Sequence, residues 1–160
     1  MLALLTVFAL AFANSSPAAV QFDENPGWHV GAKGAHTCVG VPASRCSQAL
    51  SWASTTPLRD CAGCVPHKTL AKLPANGILI HATRSLEKPL VAKQKLAWPP
   101  VVHATQVNGL EGLPARIGVY QRFVRVGDTE VMLFVFFGRS HPTAAQLKSA
   151  NAELRSSSLR

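Results

Sequence analysis

The residues whose types and spacing best suit chemistry lie in Arg59–His67, RDCAGCVPH. Cys61 and Cys64 form a Cys-x-x-Cys pair, and His67 follows three residues on. Two thiols so close can cycle between dithiol and disulfide, provided that a helix N-terminus or a nearby cation lowers the pKa of the first. They can instead hold part of a tetrahedral zinc site, with Cys38, Cys46 and His36 or His67 supplying further ligands. Or they can be oxidised and serve as covalent staples, a common role of cysteines in small exported domains.

The surroundings of the pair weigh these three roles. A thioredoxin-like centre wants a hydrophobic strand before the motif, whereas the residues there read SWASTTPLRD. Pro66 places a helix start after both cysteines, because a proline lacking its N–H is tolerated in a first turn. Asp60 would raise the pKa of a neighbouring thiol, and Arg59 would oppose it. In favour of redox chemistry, WPPVV puts a proline just before a strand-like run, and a hairpin and a terminal helix follow in the order such folds use. For zinc, the Cys61–Cys64 pair alone has ligand spacing, since seven residues separate Cys38 from Cys46. Zinc becomes the first choice if the chain works in a reducing compartment. Four cysteines permit three pairings, and the sequence leaves the choice among them open.

The N-terminus argues for the compartment. Leu2 to Ala13 is an apolar run, shorter than the roughly 20 residues that span a bilayer. Ala11-Phe12-Ala13 has the small-x-small pattern of a cleavage site. We expect a signal peptide over residues 1–13, or 1–19 if the cut follows Ala19. No Lys or Arg precedes the run, so the terminal amine alone supplies positive charge there. A buried terminal element and an uncleaved anchor are the alternative readings. Export places the mature chain, without a transmembrane span, in a secreted or cell-envelope location. There Cys38, Cys46, Cys61 and Cys64 are all expected in disulfides.

Composition adds the character of the surface. With 48 % hydrophobic and 15 % charged residues, the chain is a packed globule rather than a disordered one. Its 16 Lys and Arg, all beyond residue 30, outweigh 8 Asp and Glu, for a formal net charge of +8. Such a surface favours anionic neighbours. The expected partner is an anionic cell-envelope component or another envelope protein. Aromatics are few and there is no arginine-rich run, which argues against specific nucleic-acid recognition. Lys88, Lys93 and Lys95 share one loop and are the candidate anion-binding residues. Neither a Gly-x-Ser-x-Gly elbow nor a His-Glu-x-x-His pattern occurs. The close acid pairs, Asp23 with Glu24 and Asp128 with Glu130, fall in a linker and at a hairpin tip, where solvation rather than catalysis is the expectation. His81 and His103 lie in strand-like runs and read as packed or surface residues. No cofactor is expected.

The elements that must carry these residues follow from periodicity. Residues 14–27 are polar, with Pro17 and Pro26, and read as a linker ahead of a single domain over 28–157. Ala43, Cys46, Ala49, Leu50 and Ala53 recur at helical spacing and predict a helix over Pro42–Ser54. A short helix is expected over His67–Leu73, then a turn at LPANG. Strands are expected at Ile78–Thr83 and Val101–Val107. Arg116–Val126 and Thr129–Phe137 flank Gly127-Asp128, a two-residue hairpin turn. That turn sets Val126 opposite Thr129 and Arg125 opposite Glu130. Phe123 then faces Met132, Gln121 faces Phe134, and Val119 faces Phe136. Val124 faces Val131, Arg122 faces Leu133, and Tyr120 faces Val135. Both hairpin faces are largely apolar, so the hairpin should be central and covered on both sides. Thr143 and Gln146 are placed for a capping box, and Leu147, Ala150 and Leu154 line one face of the helix that follows. The sum is an α+β fold: a mainly antiparallel sheet of about four strands around that hairpin, packed by a C-terminal helix and N-terminal helical segments.

Two stretches, PHKTLAKLPANGILIHA and VMLFVFFGRSHPTAAQLKSANAELRS, resemble small exported proteins of high-GC Gram-positive bacteria, secreted or membrane-anchored. The resemblance rests on the strand ending at Phe137-Gly138 and on Pro142 followed by a helix with Ala150, Asn151 and Leu154. It covers about half of the chain. It implies export and carries no activity or functional residue. The leading expectation is therefore an exported, disulfide-stapled, non-catalytic binding or structural domain. A thiol–disulfide oxidoreductase using Cys61 and Cys64 is the first alternative. A structural zinc domain using Cys38, Cys46, Cys61, Cys64 and His67 is the second.

Overall fold

A computed structural model of the chain describes residues 20–37, 47–58, 67–85, 97–126 and 129–159. In chain order the elements are β1 (Val20–Gln21), β2 (His29–Thr37), β3 (Ser47–Ser54), α1 (His67–Lys72), β4 (Ile78–Ser85), a 3-10 turn (Ala104–Gln106), β5 (Gly118–Val126), β6 (Thr129–Phe137), α2 (Ala144–Ser156) and β7 (Ser158–Leu159). β2 to β6 form a five-stranded sheet in the order β2-β3-β4-β6-β5, antiparallel throughout. β1 pairs antiparallel with β7 in a second sheet of two strands. The architecture is thus α+β with an antiparallel sheet, as the element pattern implies.

The β5–β6 register is the expected one, from Val126 opposite Thr129 to Val119 opposite Phe136; Gly127 and Asp128 lie outside the described residues. β6 is interior and apolar on both faces because both faces are covered. Val131, Leu133, Val135 and Phe137 join Ile78, Ile80 and Ala82 of β4 and Tyr120 of β5 in one core layer, with Ala150 and Leu154 of α2. Phe134 and Phe136 join Leu79 and Val119 in the other, with Leu70 of α1, Leu73 and Ile117. The Phe134 and Phe136 rings stack with centroids 5.6 Å apart. β5, by contrast, ends the sheet among the described residues, so the hairpin is interior there in only one of its strands. That position accounts for Gln121 and Arg122 being exposed and Phe123 remaining 48 % exposed.

Four expectations are corrected. The segment expected to be helical up to Ser54 is strand β3 where it is described, and residues 42–46 lie outside the described residues. The same residues carry a period-two pattern: Leu50 and Trp52 face the layer of Thr83 and His81, while Ser51 and Ala53 face that of Ala82 and Ile80. Partners on both sides let pairing override helical spacing. The sheet also has more strands than the expected four, because β2 lies in a glycine-rich stretch. Its Gly31 is required by packing, since a Cβ there would collide with the Trp52 indole, 2.5 Å from Cε2.

Residues 101–107 are not a strand. Val102 is buried, but its N–H donates to Asn151 Oδ1 at 2.8 Å and its carbonyl accepts from Asn151 Nδ2 at 3.0 Å. One amide side chain from α2 thus takes the place of a ladder. Finally, the expected linker contributes to the fold from Val20 on. Val20 and Phe22 are core residues, and Asn25 to Trp28 form a turn with Gly27 at φ 82°. Residues 1–19, which hold the expected signal peptide, lie outside the described residues.

Both helices end in ways that tie them to the sheet. α1 opens at His67, after both cysteines, as Pro66 implies. Its last carbonyls would lack partners, but Arg116 supplies them: its guanidinium donates to Ala71 O at 2.7 Å, Leu73 O at 2.8 Å and Gly138 O at 3.1 Å. At the start of α2, Thr143 and Gln146 form the expected capping box. Gln146 Nε2 also donates to Ala75 O at 3.2 Å in the turn before β4.

Candidate functional site

Most residues singled out for chemistry lie outside the described residues: Cys38, Cys46, Cys61, Cys64, Lys88, Lys93 and Lys95. His67 is placed as the first residue of α1. Of the strand histidines, His81 is buried in β4, its ring edge-on to Phe134 at 6.4 Å, and His103 is exposed just before the 3-10 turn. Among the described residues no group of three His, Cys, Asp or Glu is arranged to hold a metal. No helix among them is long and apolar enough to cross a membrane.

The structure instead brings together residues that no motif announces. Because β5 ends the sheet among the described residues, the segment that follows Val102 runs along its outer side. Asn108 and Val119 pair as an isolated bridge, with Asn108 N–H to Val119 O at 2.9 Å and Val119 N–H to Asn108 O at 2.8 Å. Around this bridge the two segments line an open cleft of about 400 Å³. Thr105, Gln106, Asn108, Gly109 and Leu110 form one wall; Val119, Gln121 and Arg122 form the other. The segment wall is held at two points, by Asn151 on Val102 and by the bridge at Asn108.

The cleft's chemistry is that of a recognition site. Three amides and a hydroxyl present donors and acceptors, and Arg122 is the one cation among the described residues that line the cleft. Among the described residues that line it there is no carboxylate, imidazole or thiol. Arg122 lies over the Tyr120 ring, 5.7 Å from its centroid, which restricts the guanidinium before any ligand arrives. Burial pushes the Tyr120 hydroxyl above its ordinary range, and the neighbouring Arg122 partly opposes this. Leu110, 38 % exposed, adds an apolar rim, and Phe123 lies two residues beyond Gln121 on the same face of β5.

One buried carboxyl also escapes the sequence reading. Glu153 sits on α2 beside Ala150 and Leu154 and is 1 % exposed. Asn25 Nδ2 donates to its Oε2 at 2.8 Å, while Oε1 is buried with no hydrogen-bond partner. Burial pushes the Glu153 carboxyl above the ordinary carboxylate range. The Asn25 hydrogen bond opposes this, and the Asp23 carboxylate adds to it. Glu153 does not line the cleft.

Its consequence is for stability. A carboxyl whose folded pKa is raised favours folding when protonated, so its full contribution exists at acidic pH and is lost as pH rises through the folded value. Glu153→Gln keeps a carbonyl for Asn25 and cannot ionise. We expect it to raise Tm by about 2–6 °C at pH 8 and by less towards pH 4. Differential scanning calorimetry across pH checks this; a variant less stable than the parent at pH 8 would contradict it.

No family model, curated protein or solved structure matches this chain.

Proposed function

We propose that this chain is an exported, non-catalytic binding domain stapled by disulfides, and that the cleft on β5 takes an anionic saccharide unit of a cell-envelope polymer. The observation that carries the reading is the cleft's lining, in which Arg122 occurs together with three amide residues and a threonine. Amide side chains match sugar hydroxyls because each offers both a donor and an acceptor. A guanidinium matches one carboxylate or phosphate through paired N–H donors. A cleft of about 400 Å³ suits a small unit of a larger chain. The formal net charge of +8 supports the same partner by drawing a polyanion towards the surface. Lys88, Lys93 and Lys95 would add to that attraction without defining the site.

The test is calorimetric titration of the full chain with polygalacturonate, and with dextran as the neutral control. The anionic polymer is expected to bind, more weakly as salt rises. Arg122→Ala should weaken binding by about 10- to 100-fold, the worth of a charge-assisted hydrogen bond, with Arg122→Lys between. Equal affinity of the parent and Arg122→Ala would overturn the site.

A further inference from the structure

Residues 20–28 are fastened to β3, to β7 and to the C-terminal end of α2. β1 and β7 share a ladder of two residues, Val20 opposite Leu159 and Gln21 opposite Ser158. The Val20 N–H donates to Ser51 Oγ at 2.8 Å. Asn25 supplies a further fastening: its Nδ2 donates to Glu153 Oε2 at 2.8 Å and to Ser156 Oγ at 2.9 Å. Val20 and Phe22 join the core layer that holds Ala150 and Leu154 of α2.

Among the described residues, Glu153 meets this segment without a counter-charge. Its helical neighbours Ser149, Ala150, Ser156 and Ser157 are uncharged. β1, β3 and β7 carry no charged residue. Arg84, last in the row of β4 residues on this side, is a partner of neither Glu153 oxygen. Tyr120 of β5 shares the core layer and lies with Arg122. The basic residues of α2, Lys148 and Arg155, are exposed, as are Glu24 and His29. The charge that acts on Glu153 from residues 20–28 is the Asp23 carboxylate, which has the same sign. An ionised Glu153 would thus be a buried negative charge held against another, and its Oε1 has no hydrogen bond among the described residues to offset the cost. Protonation removes the charge and leaves Oε2 as the acceptor for Asn25.

We propose that Glu153 is a proton-operated latch: the closed segment 20–28 keeps a proton on Glu153, and loss of that proton releases the segment from α2 and β7. The release is local because the rest of α2 is held elsewhere, by its capping box, by Gln146 on Ala75 and by Asn151 on Val102. A ladder of two residues, by contrast, is marginal on its own, and weakly held units open ahead of the whole fold. Release exposes Val20 and Phe22, which are buried in the closed state. The latch is separate from the cleft, which Glu153 does not line.

The direction with pH follows from the proton. Burial makes the closed state hold it to higher pH than the open state does. Opening is therefore favoured as pH rises above the ordinary carboxylate range, by about tenfold per pH unit, and levels off above the closed-state value.

The test is amide hydrogen exchange of the isotope-labelled full chain, followed by NMR from pH 4 to pH 8 and corrected for the intrinsic rate at each pH. The opening constant at Val20 should rise with pH and level off. It should exceed that at Leu133 of β6 by on the order of tenfold or more throughout. In Glu153→Gln the rise at Val20 should vanish. A flat profile at Val20 in the parent would overturn the latch, as would a rise that survives in Glu153→Gln. Equal opening at Val20 and Leu133 would also overturn it, because the segment would then leave only with the whole fold. If Glu153→Gln does not fold, Asp23→Asn decides: the levelling-off should move to lower pH, and an unmoved profile overturns the proposal.

Discussion

Gly138→Ala is expected to destabilise the fold by about 3–5 kcal/mol, beyond the usual range for a single substitution. Gly138 follows β6, and its N–H donates to Gly77 O at 3.0 Å in the turn before β4. A Cβ at Gly138 would overlap the Pro74 carbonyl oxygen and lie 2.6 Å from the Pro74 carbonyl carbon. These are backbone atoms, so no rotamer change relieves the collision, and the turn must move. That turn links α1 to β4 and also receives Gln146 from α2, and Arg116 donates to Gly138 O. One methyl group therefore strains contacts between both helices and the sheet. Gly109→Ala is the control: nothing lies within 4 Å of a Cβ there, and little change is expected. Thermal unfolding of the two variants checks the contrast. Equal Tm values would show that the close approach does not matter.

Asn151→Ala is expected to cost about 2–3 kcal/mol, since it leaves both an N–H and a carbonyl of buried Val102 without their partner. In a chain of this size that is a fall in Tm of about 5–10 °C. Asn151→Asp keeps the acceptor and loses the donor, so it should fall between. The substitution also reaches the proposed site. Asn151 fixes the segment whose residues Thr105, Gln106, Asn108 and Leu110 wall the cleft. Affinity for the anionic saccharide should drop with stability, although Asn151 does not line the cleft. Faster amide exchange at Val102 would report the release directly. Unchanged exchange would mean that the segment is held by other contacts.

The elements legible from the sequence were those set by local chemistry. The β5–β6 register followed from a two-residue turn between apolar strands, and α2 from its capping box and the spacing of Leu147, Ala150 and Leu154. What failed depended on distant partners. Helical spacing in Leu50 and Ala53 was real, but β2 and β4 on either side make that segment a strand. Val101–Val107 had strand composition, yet an asparagine 49 residues away satisfies Val102. Gly31 concealed β2 because the reason for it, the Trp52 indole, lies on the next strand.

The candidate site was not legible at all. Its walls come from two segments with no shared motif, and Arg122 looked like one basic residue among 16. Glu153 was hidden for a similar reason: only the arrival of Asn25 from the N-terminal turn reveals that this carboxyl is closed over.

Under the proposed function the cleft, rather than diffuse positive charge, recognises an anionic saccharide. The most direct measurement is a titration of the isotope-labelled full chain with short polygalacturonate oligomers, followed by amide and side-chain NMR shifts. Saturable shifts concentrated at Thr105, Gln106, Asn108, Gln121 and Arg122, and abolished in Arg122→Ala, are the predicted result. Shifts confined to Lys88, Lys93 and Lys95, or none at any concentration, would contradict it.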